Sequence, residues 1–245
     1  MILFPAIDLK DGACVRLVRG DMASAIVFNR DPAAQARHFA DAGFSWLHVV
    51  DLDGAVAGRS VNGAAVAAIR DAVDLPIQLG GGIRDRAAID HWLALGIDRV
   101  VLGTAALRDP GLVRDTAAEH PGKIVVGIDA RNGHVAVEGW TETTELGVVE
   151  LARRFENCGV AAIVYTDIAR DGALSGVDAN TVAAVARQIL VPVVASGGVS
   201  SLDDIAALKA READGIAGII CGRALYDGRI HPASALRLLS EASPC

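Results

Sequence analysis

The sequence predicts an α/β fold, a single (β/α)8 (TIM) barrel spanning residues 1–245, on three observations. First, eight short β-rich runs alternate with helical stretches. Second, several runs are apolar almost throughout, such as Ile124-Val125-Val126-Gly127-Ile128 and Ile189-Leu190-Val191-Pro192-Val193-Val194. A parallel sheet covered on both faces requires that composition. Third, the chain repeats itself after about half its length. Gly80-Gly81-Gly82-Ile83-Arg84 returns as Ser196-Gly197-Gly198-Val199-Ser200, and Val50-Asp51-Leu52 returns as Thr166-Asp167-Ile168. Leu102-Gly103-Thr104-Ala105 returns as Cys221-Gly222-Arg223-Ala224, and Phe4-Pro5-Ala6-Ile7-Asp8 has a looser partner in Val126-Gly127-Ile128-Asp129. The repeat reads as an internal two-fold (β/α)4 division, with halves at approximately 1–121 and 122–245. A doubly wound open sheet is the alternative; it needs an edge strand, and no run has edge features.

The strand candidates, in order, are 2–8, 45–51, 76–80, 98–102, 123–129, 161–166, 191–196 and 216–221. Between the first two, Asp31-Pro32 reads as an N-cap followed by proline at the first helical position, opening a helix that runs to Gly43. Ile89, Trp92 and Leu93 have the spacing of a buried helix face, ended by Gly96. Ser201-Leu202-Asp203-Asp204 resembles a capping box with Asp in place of Glu, opening a helix that turns Ile205 and Leu208 inward.

A chain of 245 residues, 52% hydrophobic, can bury a large core. A net charge of −7 argues against a nucleic-acid surface, though not against an anionic ligand held by backbone N–H groups. No apolar run reaches the roughly 18 residues of a membrane span, and no basic leader precedes the first strand. Cys14, Cys158, Cys221 and Cys245 lack Cys-x-x-Cys spacing and read as free thiols of a cytoplasmic protein. The histidines, including His38, His48, His91 and His134, show no metal-ligand spacing, so neither metal nor cofactor is expected.

In a barrel of this kind the active site lies at the C-terminal strand ends. Asp8 and Asp129 fall at equivalent ends of the first and fifth strands, so two carboxylates face one another as base and acid; the bland alternative is that each caps its loop. The small residues Gly81 and Gly82, Gly103 and Thr104, Ser196, Gly197 and Gly198, and Gly222 follow strands 3, 4, 7 and 8. Their turns feed helix N-termini at the mouth and predict two phosphate corners, one at 3/4 and one at 7/8, with Arg223 beside the second. Arg16 and Arg19 fall in the loop after the first strand and are either ligand contacts or solvated charges. Trp140, in a long loop after the fifth strand, is placed to stack on a planar ring, whereas Trp92 reads as core.

Together, Pro5-Ala6-Ile7-Asp8-Leu9, His48-Val49-Val50-Asp51-Leu52, Gly80–Arg84, Asp129, Gly139-Trp140, Thr166-Asp167-Ile168, Arg170-Asp171-Gly172 and Gly222-Arg223-Ala224 resemble a family of bacterial isomerases of histidine biosynthesis. These act on phosphoribosylformimino-5-aminoimidazole carboxamide ribotide. The resemblance covers nearly the whole chain. One departure is Ala173, where the family usually has Thr after Asp-Gly. The resemblance implies a cofactor-free Amadori rearrangement of a small molecule with a phosphoribosyl group at each end, carried out by a monomer with no nucleic-acid or membrane partner. It implies Asp8 as the base, Asp129 or Asp171 as the acid that opens the ribose ring, and Thr166 as an orienting hydroxyl. Two relatives compete: the sister cyclase that forms imidazole glycerol phosphate, and a bifunctional isomerase that also accepts phosphoribosyl anthranilate. A non-catalytic scaffold on the same fold would be expected to lack Asp8 or Asp129, and both are present.

Overall fold

A computed structural model describes residues 1–137, 139–140 and 142–241; Cys245 lies outside them. In chain order the elements are β1 (Ile2–Lys10), β2 (Ala13–Val18), β3 (Asp21–Asn29), α1 (Pro32–Asp41), β4 (Leu47–Asp51), α2 (Leu52–Ala57), α3 (Gly63–Ala72), β5 (Ile77–Gly80), α4 (Arg86–Ala94), β6 (Arg99–Leu102), α5 (Thr104–Arg108) and α6 (Pro110–Glu119). They continue with β7 (Ile124–Arg131), β8 (His134–Val137), β9 (Glu142–Gly147), α7 (Val148–Arg153), β10 (Ala162–Asp167), α8 (Ala179–Ala186), β11 (Val193–Ser196), α9 (Leu202–Lys209), β12 (Ile216–Cys221), α10 (Arg223–Tyr226) and α11 (Pro232–Ser240).

Strands β1, β4, β5, β6, β7, β10, β11 and β12 pair in that order, all in parallel, and β12 closes on β1. This is the (β/α)8 barrel, with helices between successive barrel strands. Strand alternation divides the core in two. On β1, Phe4 and Ala6 point into the barrel, where they meet Val125, Val164, Val194 and Ile220. Leu3, Ile7 and Leu9 point outward into the larger core under the helices. Both faces of the strand are therefore apolar, which is why the barrel strands read as continuous runs.

The caps follow the local sequence. Asp31 accepts from the Ala34 amide ahead of Pro32, and Ser201 and Asp204 form the reciprocal capping box of α9. Ile89 and Trp92 are buried. Asp51 ends β4 and accepts from the amides of Gly54, Val61 and Asn62 at 2.8, 2.8 and 2.9 Å and from Asn62 Nδ2 at 2.7 Å. It is a structural clamp for the loop between α2 and α3. Among the described residues, no helix is long and apolar enough to cross a membrane.

The structure differs from the sequence reading in the connections after β1 and β7. Each continues into an antiparallel hairpin rather than a loop: β1 pairs with β2, which pairs with β3, and β7 pairs with β8, which pairs with β9. The turns are Asp11-Gly12 and Asn132-Gly133, with φ of 50° and 75° and of 52° and 80°. Positive φ at both central residues is what a type I′ hairpin turn demands. Arg16 accordingly lies within β2 and not in a loop.

Candidate active site

Asp8 stands near the C-terminal end of β1, opposite Val15 of β2. The hairpin folds Arg16 back over the barrel mouth. Its Nη1 donates to Asp8 Oδ2 at 2.6 Å, and its Nη2 donates to the Ala6 carbonyl. The Tyr226 hydroxyl donates to the same carbonyl at 3.0 Å, and the guanidinium lies 4.8 Å from the Tyr226 ring centre. Arg16 is only 7% exposed, and a guanidinium so placed is held by its carboxylate and by the ring face. Burial pushes the Asp8 carboxyl above the usual carboxylate range, and the Arg16 charge opposes that push.

Asp129 occupies the same position on β7. Trp140, at the turn between β8 and β9, donates its indole N–H to Asp129 Oδ2 at 2.7 Å. The Thr166 hydroxyl also donates to Asp129, from the residue directly across the β7–β10 pairing. Burial raises this carboxyl, and the two donors counteract it. The third carboxyl, Asp171, sits in the turn after β10. Burial, followed by the negative charge of Asp8, with Arg16 opposing and Asp129 adding, raises it to about 7. Three carboxyls and one buried arginine thus share a single field.

The Gly-rich turns divide by role. A Cβ on Gly81 would lie 2.1 Å from the Asp51 carbonyl oxygen, and one on Gly197 would lie 2.5 Å from that of Asp167. The neighbouring strand end fills this space in both halves, so neither position has room for a side chain, while both still line the cavity. The helices that follow are already capped, α4 by Asp85 and α9 by Ser201. At Gly103 the nearest atom to an added Cβ is 4.0 Å away, so that backbone opens on the cavity. The N-termini of α5 and α10, after Gly103 and Gly222, have no side-chain cap. Arg223 Nη1 donates to the Gly172 carbonyl at 3.2 Å, tying the second of these corners to the Asp171 turn.

The cavity at the mouth has a volume of about 270 Å³, and every site residue singled out from the sequence lines it except Arg19. Arg19 lies in the two-residue turn between β2 and β3 with φ of 51° and is exposed. Its backbone N–H, not its side chain, reaches the site, donating to the Asp171 carbonyl at 3.0 Å. Arg16, on the inward face of β2, takes the place that sequence reasoning offered to either arginine. Sequence reasoning missed His48, which also lines the cavity. Its Nδ1 lies 2.9 Å from Gln78 Nε2 on the adjacent strand, and burial reinforced by Arg16 pulls its pKa down to about 3, leaving a neutral ring. A polar residue inside an otherwise apolar barrel strand was the available signal.

A family model described as histidine biosynthesis protein matches residues 2–231. A relative from Rhodospirillum rubrum is 63% identical over 98% of this chain and 100% of its own length. Others, from Azospirillum brasilense and Brucella anthropi, are each 60% identical over 99% of this chain and over 96% and 100% of their own lengths. All three carry the name 1-(5-phosphoribosyl)-5-((5-phosphoribosylamino)methylideneamino)imidazole-4-carboxamide isomerase. With a barrel of this form and a match over nearly its full length, the chain belongs to the histidine biosynthesis protein family.

Proposed function

We propose that this chain is an aldose–ketose isomerase. Its reaction is the Amadori rearrangement of N′-(5′-phosphoribosyl)formimino-5-aminoimidazole-4-carboxamide ribonucleotide to the phosphoribulosyl isomer. The observation that carries this reading is the three-carboxyl cluster, with Asp171 poised at about 7 beside the Arg16-paired Asp8, in a chain 63% identical to a protein named for that activity.

The chemistry needs an acid, a base and two anchors. Asp171 in its protonated form gives its proton to the ribose ring oxygen, and the ring opens to a protonated imine. Asp8 then removes the proton from the neighbouring carbon, yielding an enolamine. Reprotonation at the former imine carbon and loss of the enol proton give the aminoketose. Arg16 favours the ionised form of Asp8 against the push of its burial. Asp129 accepts from both Trp140 and Thr166, an arrangement that favours its charged form. That leaves acid duty with Asp171, which burial, and after it the charge of Asp8, hold protonated toward neutrality. The uncapped corners at Gly103-Thr104 and Gly222-Arg223 receive the two phosphates. No step calls on a metal or an organic cofactor.

Asp8→Asn tests the reading. Turnover of the bis-phosphoribosyl substrate, coupled to the downstream cyclase, is expected to fall by about 10²–10⁴-fold with substrate binding retained. Turnover within tenfold of wild type removes Asp8 as the base. If the wild-type protein is inert on this substrate yet cyclises the ketose product with ammonia, the sister-enzyme reading replaces this one.

A further inference from the structure

Gly20, at the turn between β2 and β3, lines the same cavity and has no side chain to offer it. It has φ of +73°. A Cβ there would lie 2.2 Å from Trp140 Cε3 and 2.6 Å from Cζ3. The indole six-membered ring therefore rests directly on the Gly20 backbone, and its other edge donates to Asp129 at 2.7 Å. Trp140 itself has φ of 73°, a conformation that a bulky residue holds only when its surroundings enforce it. The seat is anchored next door, where the Arg19 amide donates to the Asp171 carbonyl and Gly172 packs against the Leu17 carbonyl. The backbone that the indole meets on the side away from Asp129 thus belongs to the hairpin of the first half-barrel.

We propose that Gly20 is a positioning residue: its missing side chain is the seat that turns Trp140 inward onto Asp129, so that the hairpin after β1 sets the state of the carboxylate on β7. The seat couples the two halves of the chain through one ring. Any side chain at position 20 displaces the indole and removes a donor from Asp129. This inference rests on the isomerase reading for its catalytic consequence, but the pose of Trp140 can be read without substrate.

The experiment compares Gly20→Ala with Gly12→Ala. Gly12 has the same sign of φ, +75°, but nothing lies within 4 Å of an added Cβ, so it reports the backbone cost alone. In Gly20→Ala the emission assigned to Trp140, by difference from Trp140→Phe, shifts to the red and becomes more accessible to quencher. The kcat is expected to fall on the order of 10²-fold, as a misplaced catalytic group predicts. The pH profile loses the contribution of the indole donor and moves upward. Gly12→Ala changes none of these. In a Trp140→Ala background the Gly20→Ala substitution has no further effect on kcat. Unchanged Trp140 emission in Gly20→Ala, or an undiminished loss in the Trp140→Ala background, overturns the proposal. Should Gly20→Ala not fold, Gly20→Ala in the Trp140→Ala background decides: with the indole gone it is expected to fold as Trp140→Ala does, and failure of that double variant to fold overturns the proposal equally. A red shift without any isomerase activity in the wild type would leave the seat standing and sink the catalytic reading.

Discussion

At the scale of single residues, what counts is which carboxyl keeps its proton. Asp171 is raised to about 7 by burial and by the charges of Asp8 and Asp129, against Arg16. A carboxyl raised in the folded state binds its proton more tightly there than in the unfolded chain. Its contribution is therefore fully present below the unfolded value of 3.8 and is lost as pH rises through about 7. Asp171→Asn, neutral at every pH, is expected to raise Tm relative to wild type at pH 8 and much less at pH 5. Turnover of the wild type is expected to fall above about pH 7, as a required acid imposes, and that of Asp171→Asn to be about 10²–10⁴-fold lower than wild type at pH 6. Equal Tm differences at both pH values would place the Asp171 pKa elsewhere. The candidates Asp8 and Asp129 were legible because strand ends in a barrel of this kind can be located from apolar runs, whereas Asp171 and the role of Thr166 came only from the family resemblance. The burial of Arg16 was not legible, since its partner Asp8 meets it only after the hairpin has folded.

At the level of elements, glycines packed against a neighbouring strand end part from glycines that face open space, a distinction that sequence repetition conceals. Gly81 and Gly103 each lie within a repeat motif, yet Gly81 is pressed against the Asp51 backbone while Gly103 faces open space. Gly103→Ala is expected to leave Tm within a few degrees of wild type and to raise KM about tenfold, since the added methyl would intrude on the proposed phosphate corner. Gly81→Ala is expected to cost several kcal/mol, because the Cβ would meet a carbonyl oxygen and the φ of 100° is closed to alanine. Chemical denaturation and steady-state kinetics on the pair settle the matter, and reversed results would exchange their roles. The hairpins after β1 and β7 were announced by Asp11-Gly12 and Asn132-Gly133, among the strongest short-range hairpin signals, flanked by β-forming residues. Expecting a plain loop after each barrel strand passed over that turn chemistry.

On the scale of the molecule, the repeat recurs as geometry. Asp8 and Asp129 are each followed by an antiparallel hairpin, and Gly81 and Gly197 pack on the equivalent Asp51 and Asp167. Cutting the barrel between α6 and β7 would break only the β6–β7 and β12–β1 pairings along its new edges and the β7–β10 seam would stay intact in the second half. Residues 1–121 and 122–245 are thus expected to be inactive and self-associating when produced separately, because each exposes two barrel edges. Coproduced, they should restore turnover. A monomeric, well-folded half on size-exclusion chromatography would contradict this. Apolar runs with no polar face, an internal repeat and punctuation by glycine and proline determined the barrel, since these follow from burial on both faces of a parallel sheet, and the short motifs around Asp8, Asp129, Trp140 and Thr166 carried the family resemblance. Tertiary structure alone decided which arginine reaches Asp8, which glycines face open space, and that Trp140 rests on Gly20 to hold Asp129. Those contacts join residues far apart in the chain, and no local periodicity encodes the direction of a side chain across a closed barrel.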